Sequence, residues 1–180
     1  MWYSRVKFIE GVRNIVKKEV ELKFFVDGFT EIRKRLKKIG ARLSWSGIEK
    51  SRYFDTPGRI IKKRGAALRL RTTNHSFLTY KEKVSKGKFK IADEYELEVG
   101  NPRELAAIFK RLGFGEVFFY TKRREYWKLP NAEITLDSIP GKKVVEIEAS
   151  PSVIRALAHT LGLNMARTST QSYVKLLGKT

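Results

Sequence analysis

The chain has 180 residues, enough for one domain or two very small ones, and a chain of this length buries roughly 70% of its unfolded surface without covalent staples. It has no cysteine and only His75 and His159, which excludes disulfides, thiolate metal sites and a cysteine nucleophile and argues against a multi-histidine zinc site. The 38 Lys+Arg against 19 Asp+Glu leave a formal charge of +19, which points to polyanionic partners, although a solvated lysine surface of the heat-stable kind would account for most of the lysines.

In chain order, residues 1–17 read as an N-terminal extension in which Val6, Ile9, Val12 and Val16 allow a short amphipathic helix. They lack the uncharged core and small-residue cleavage site of a secretory signal, and no apolar run approaches the ~18 residues of a membrane span, so a cytoplasmic location is expected. A domain then runs over 18–178. The spacing predicts strands over 19–27, 42–55, 66–73, 77–84, 89–99, 115–129, 132–138 and 143–149, with a late one near 168–176. "NH" at 74–75, "SKGK" at 85–88 and "LPN" at 129–131 are turns between antiparallel neighbours.

Three helices interrupt these strands. The first, over 29–39, offers Phe29, Ile32, Leu36 and Ile39. The second follows the N-cap pair Asn101-Pro102, with Glu104 at capping-box distance and Leu105, Ile108, Phe109 and Leu112 on one face. The third follows Ser150-Pro151 with Ile154, Leu157, Ala158 and Leu161. Gly40, Gly113 and Gly162 stand where a helix ends in a left-handed residue. A weak internal repeat emerges: "EVELK" at 19–23, helix, then Tyr53; "EYELE" at 94–98, helix, then Tyr126; and a shorter third copy from "EIEA" at 146–149 to Tyr173. The fold class expected is α+β, an antiparallel sheet or barrel of eight or nine strands with amphipathic helices packed against it.

The strands share a polarity. Glu19, Glu21 and Lys23 alternate with Val20, Leu22 and Phe24, so that charges recur about 6.6 Å apart on one face. Arg69 and Arg71, Lys81 and Lys83, Glu94 and Glu96, Lys122 and Arg124, Asp137, and Glu146 and Glu148 do the same on later strands. A single such strand is a wet surface face. Taken together they suit a closed barrel whose lumen holds the charges, and eight strands leave room for one small ligand. Unpaired buried ions cost several kcal/mol each, so the expected occupant is multiply charged: an anion on the cations and a hard metal on the carboxylates. Arginine forks and lysine point charges bind phosphate oxygens, which makes a triphosphate the natural ligand.

These residues resemble the CYTH family, the class IV adenylate cyclase and thiamine triphosphatase group of triphosphate tunnel metalloenzymes. The signature E-x-E-x-K stands here as Glu19, Glu21 and Lys23. "YFDT" at 53–56, "LRLR" at 68–71, "TYKEK" at 79–83, "EYELEV" at 94–99, "KRREYW" at 122–127, "ITLD" at 134–137, "VEIE" at 145–148 and "SYVKLL" at 172–177 follow in order. The chain departs from the family pattern in its extra residues 1–17 and in the basic segment "IPGKK" before "VEIE".

The resemblance implies an eight-stranded antiparallel tunnel and a Mg2+- or Mn2+-dependent enzyme acting on ATP or another organic or inorganic triphosphate. The reaction would be either cyclisation to cyclic AMP and pyrophosphate or hydrolysis. It implies metal ligands at Glu19, Glu21, Glu146 and Glu148, with Glu94, Glu96 and Asp137 as second candidates. It implies phosphate contacts from Lys23, Arg69, Arg71, Lys81, Lys83 and Arg124, with Lys23 and Lys81 the candidate catalytic groups. Lys83 and Lys122 could equally stand at the lip, and Tyr53, Tyr126 and Tyr173 read as packing residues. A dimer is usual in the cyclase branch. The competing reading is a non-catalytic binder of RNA or polyphosphate, suggested by the charge but lacking the aromatic signature of an RNA-recognition motif.

Overall fold

The structure, a computed structural model, describes residues 17–85 and 87–178; the helix allowed near the N-terminus lies outside the described residues. In chain order the elements are β1 (Lys17–Val26), α1 (Thr30–Lys38), β2 (Arg42–Asp55), α2 (Ile60–Lys63), β3 (Ala66–Thr72), β4 (Ser76–Ser85), β5 (Lys90–Glu98), α3 (Pro102–Arg111), β6 (Gly115–Leu129), β7 (Ala132–Ile139), β8 (Lys142–Glu148), α4 (Pro151–Leu161), β9 (Thr168–Ser169) and α5 (Tyr173–Leu176). The strands follow one another as β5-β4-β3-β2-β6-β7-β8-β1, and β1 pairs back onto β5. All these pairings are antiparallel, so the sheet closes into an eight-stranded barrel with no long edge left open. The short β9 joins β1 at Lys23 and Phe24, beyond the point where β5 leaves it at Glu21.

The internal repeat is the symmetry of this barrel. Exchanging β1-α1-β2-β3-β4 with β5-α3-β6-β7-β8 maps the set of eight barrel-strand pairings onto itself. β1–β5 and β2–β6 join the halves, β2–β3 matches β6–β7, β3–β4 matches β7–β8, and β4–β5 matches β8–β1. Both repeat helices end in a left-handed glycine, Gly40 at φ 78° and Gly113 at φ 82°, a conformation that a side chain at Cβ disfavours.

The third copy is incomplete. The late strand expected over 168–176 shrinks to Thr168–Ser169, and the chain then enters the four-residue α5. Ser172 caps it by accepting from the Lys175 N–H, and Tyr173 and Leu176 recur at helical spacing and are buried. α2, also unforeseen, is too short to show a period; both oxygens of Asp55 hold its backbone, accepting from Ile61 and Lys62 N–H at 3.0 Å. Asn101 caps α3 as expected, accepting from Glu104 N–H at 3.1 Å, whereas Ser150 makes no side-chain cap on α4.

The apolar faces point outward. Leu22, Phe24, Ile134, Leu136, Val145 and Ile147 of β1, β7 and β8 meet Ile32 and Leu36 of α1 and Ile154, Ala158 and Leu161 of α4 in the main core. A second outer core joins Phe54 and Leu70 to Phe109 of α3. The core is therefore a shell around the barrel, which frees the lumen for polar side chains. At one end the lumen itself turns apolar, where Tyr120, Ile139 and Val144 pack with Tyr173 and Leu176 of α5. Among the described residues no helix is long and apolar enough to cross a membrane.

Leu36 is fully buried between α1 and the barrel wall. Leu36→Ala is expected to lower unfolding free energy by about 3 kcal/mol, read from urea denaturation, because close-packed surroundings relax only partly into the space left.

Candidate functional site

Strand parity decides what faces the lumen, and the antiparallel register lines up the inward residues. Glu21 lies opposite both Lys90 and Glu148, Lys23 opposite Glu146, Lys81 opposite Glu94, Arg124 opposite Asp137 and Gly47, and Lys122 opposite Glu49. The space between them is a cavity of about 1200 Å³, lined by residues from all eight barrel strands and by the segment around α5. In the strand order β3 and β4 stand across the ring from β7 and β8. The first pair contributes Arg69, Arg71, Lys81 and Lys83 to the lining; the second contributes Glu133, Glu146 and Glu148. The tunnel thus has a cationic wall facing an acidic one.

Ion pairs knit the middle of the tunnel. Lys23, 1% exposed, sits between Glu21 and Glu146, contacting both. Burial alone would lower its pKa, but these two carboxylates overcome it and hold the ammonium charged. Glu21 also takes Lys90 at 2.8 Å. Its burial is outweighed by Lys23, Lys90 and Lys81, so its pKa falls well below the carboxylate range. Lys81 bridges Glu19 and Glu94, the latter at 2.8 Å. Glu19 is the least compensated carboxyl: burial and the charge of Glu21 raise its pKa to about 8 despite Lys81 and Lys90. Lys90 is itself lowered by burial, with Lys23 and Lys81 repelling its charge.

Deeper lies a second network. Arg124 donates through Nε and Nη2 to the two oxygens of Asp137, both at 2.6 Å, and lies 3.4 Å from Glu49 and 3.5 Å from Glu146. Lys122 lies 3.2 Å from Asp137 and 3.3 Å from Glu49, with its Nζ 4.0 Å from the Tyr173 ring centroid. The Tyr173 hydroxyl donates to Asp137. Burial pushes Glu49 up, but Arg124, Lys122 and Arg69 hold it at about 2. Burial lowers Lys122, and neighbouring Arg124 adds to that.

The expected site residues separate on this geometry. Lys23, Arg69, Lys81, Arg124, Glu19, Glu21, Glu94, Glu146 and Glu148 share the one cavity. Arg71, Glu96 and Lys83 line it as well, but Arg71 and Glu96 pair with each other at 3.1 Å, and Glu96 and Lys83 are exposed. Asp137 does not line the cavity: it is fully buried behind Arg124 and Lys122, its oxygens already engaged. Lys122, with only 3% exposure, is no lip residue. The three tyrosines do more than pack. Each lines the cavity, and Tyr126 donates to Glu133 as Tyr173 does to Asp137.

Glu49, Lys90 and Glu133 were missed. Lys90 precedes Glu94 by an even step on one strand, and Glu133 precedes Asp137 likewise, so parity could have found both. Glu49 is flanked by the outward, exposed Ile48 and Lys50, and β2 shows no apolar-polar contrast to betray it.

Among the described residues no three carboxylate or imidazole groups converge as a finished cation site. The donor chemistry nevertheless fits a hard divalent ion. Glu21 and Glu148 lie directly opposite on β1 and β8, with Glu19 on the same face, and like charges so placed repel unless a cation lies between them. Glu19, buried and short of a full countercharge, is the group such an ion would satisfy.

The chain is thus of the class of closed antiparallel barrels with a bipolar, ion-paired lumen. Within that class the chain belongs to the CYTH domain family, whose model matches residues 17–173. A protein of Methanocaldococcus jannaschii, named "Putative adenylate cyclase", is 28% identical over 176 residues, covering 89% of this chain and 98% of its own. The solved structure of PH1012 from Pyrococcus horikoshii superposes with a TM-score of 0.75 at 29% identity, covering 88% of this chain and 98% of that one. A Vibrio parahaemolyticus structure, at 20% identity and a TM-score of 0.79, covers 89% and 98% and shares the fold.

The depressed Glu49 pKa has a stability consequence. A carboxylate held below its unfolded value stabilises the fold above about pH 4.5, and that contribution is lost as pH falls toward about 2. Acid unfolding followed by circular dichroism is expected to steepen in this window. Glu49→Gln should flatten that slope and lower stability at pH 7 by about 3 kcal/mol, since it leaves Lys122 and Arg124 short of one partner.

Proposed function

We propose that the protein is a divalent-metal-dependent enzyme acting on ATP or a related triphosphate. The observation that carries this reading is the cationic wall of β3 and β4 facing the acidic wall of β7 and β8 in one closed lumen. A triphosphate binds the first and leaves the second for its counter-ion. Arg69, Arg71, Lys81 and Arg124 hold the phosphate oxygens with Lys23, Lys90 and Lys122, and Lys83 receives the phosphate chain at the rim. Arg124 is well suited because Asp137 fixes its guanidinium plane.

Glu19, Glu21, Glu146 and Glu148 would hold Mg2+ or Mn2+, with Glu94 behind them. Asp137 and Glu96 instead orient cations. The metal, when bound, would neutralise phosphate charge and polarise the reacting phosphoryl group. The chain's own groups supply the rest. Lys23 and Lys81 are released from their carboxylates as the phosphates arrive and become the charges closest to the reacting phosphorus. The lumen, largely screened from bulk water, strengthens each of these contacts. Phosphoryl transfer needs little beyond such positioning and neutralisation. Water attacking the terminal phosphorus gives a triphosphatase; the ribose 3′-hydroxyl attacking the α-phosphorus gives a cyclase. The adenylate cyclase name carried by the M. jannaschii relative supports a nucleotide substrate.

The test is a panel of ATP, GTP, thiamine triphosphate and inorganic triphosphate with Mg2+ or Mn2+, with phosphate, pyrophosphate and cyclic AMP identified as products. Metal-stimulated turnover is expected with at least one of them. Lys23→Ala and Lys81→Ala, checked for intact melting curves, should each lower kcat by about 100-fold or more. Salt-sensitive RNA binding without any turnover would favour the polyanion-binding reading instead.

A further inference from the structure

β2 outruns its neighbour on one side. β3 pairs with it only from Lys50 onward, so residues 42–49 are laddered to β6 alone. In that extension the register slips. Leu43 faces Trp127, but Trp45 faces Tyr126, leaving Ser44 as the extra residue of a bulge. Ser44 Oγ donates to the Tyr126 carbonyl at 3.0 Å and pins it. Bulges at barrel rims re-aim side chains, and this one turns Leu43 outward, 50% exposed, while Trp45 joins the lumen face with Gly47, Glu49 and Tyr126.

Trp45 is half-buried and lines the tunnel, and its ring folds over Gly47. A Cβ built on Gly47 would stand 2.7 Å from the indole Cζ2, so the glycine is what lets the ring lie there. Gly47 is directly opposite Arg124. Trp45 is two residues further along β2, about 7 Å along the strand from the position opposite Arg124. A large flat apolar ring thus lies on the lumen face one inward-facing position along β2 from the residue opposite Arg124. The tip of the β3–β4 hairpin, Thr73 and Asn74, lines the same cavity with hydroxyl and amide groups.

We propose that Trp45 is the stacking platform for the base of a nucleoside triphosphate whose phosphates lie on Arg124 and the cationic wall. The preferred substrates are then nucleotides, favoured over inorganic triphosphate. This rests on the triphosphate reading above and adds the group that selects among triphosphates. Every base has a flat π-face, so the platform itself is tolerant of base identity.

The test compares ATP with inorganic triphosphate, each with Mg2+, on the full chain by equilibrium binding. In wild type ATP should bind more tightly and quench indole emission, and the quenching should vanish in Trp45→Phe while most of the preference for ATP persists. Trp45→Ala should cut the ATP-to-inorganic-triphosphate affinity ratio about tenfold. Gly47→Ala, which displaces the ring without removing it, should cut the ratio in the same direction and serves if Trp45→Ala folds poorly. An unchanged ratio in both variants overturns the stacking role while leaving a triphosphate site standing. Absence of binding by either ligand in wild type overturns the triphosphate reading and, with it, this one.

Discussion

A charge inside a closed barrel has little bulk water to turn to, so it must find its opposite within the lumen. This constraint organises the whole molecule. Lys23 is held by Glu21 on its own strand and by Glu146 opposite it, Lys81 by Glu94 opposite it and by Glu19 of β1, and Arg124 by Asp137 opposite it, so the antiparallel register aligns one partner for each cation. Breaking one of them would leave an uncompensated ion. The apolar shell outside supplies the stability that such a lumen does not, since buried ion pairs roughly break even against their desolvation.

The same constraint makes the lumen receptive. Cations on β3 and β4 and carboxylates on β7 and β8 stand on opposite sides of the ring, so they do not all neutralise one another directly. The approximate twofold relating the halves shows how this comes about. β3 and β7 are equivalent positions, as are β4 and β8, yet one half carries Arg69, Arg71 and Lys81 where the other carries Glu133, Asp137 and Glu146. A symmetric scaffold with inverted charge gives a polar axis across the tunnel. In the proposed reaction a metal–triphosphate pair lies along that axis, each component exchanging one set of ion pairs for another.

Alternation is why so much was legible from sequence. Where outward residues are uniformly apolar, as in Val20, Leu22 and Phe24, the inward set of Glu19, Glu21 and Lys23 reads directly. Where the outer face is itself wet, as at Ile48 and Lys50, Glu49 is invisible, because contrast between the faces is the whole signal. The C-terminal strand failed for a related reason. Tyr173 and Leu176 suit a helical turn as well as a strand, and the decisive contact, Tyr173 to Asp137, spans 36 positions of sequence. Asp137 likewise shows the strand parity of a lumen residue, but only the packed structure shows that Arg124 stands between it and the cavity. Trp45 needed the bulge at Ser44, which no periodicity reports.

The central claim is that a single enclosed lumen, and not the basic exterior of a chain with charge +19, binds the polyanion. Calorimetric titration of inorganic triphosphate in the presence of Mg2+ at physiological salt addresses it most directly. The account predicts one site per chain, retained when exposed lysines such as Lys37 and Lys38 are neutralised and abolished by Arg124→Ala. Several weak sites per chain that fade with salt and with loss of the surface lysines, indifferent to Arg124, would contradict it.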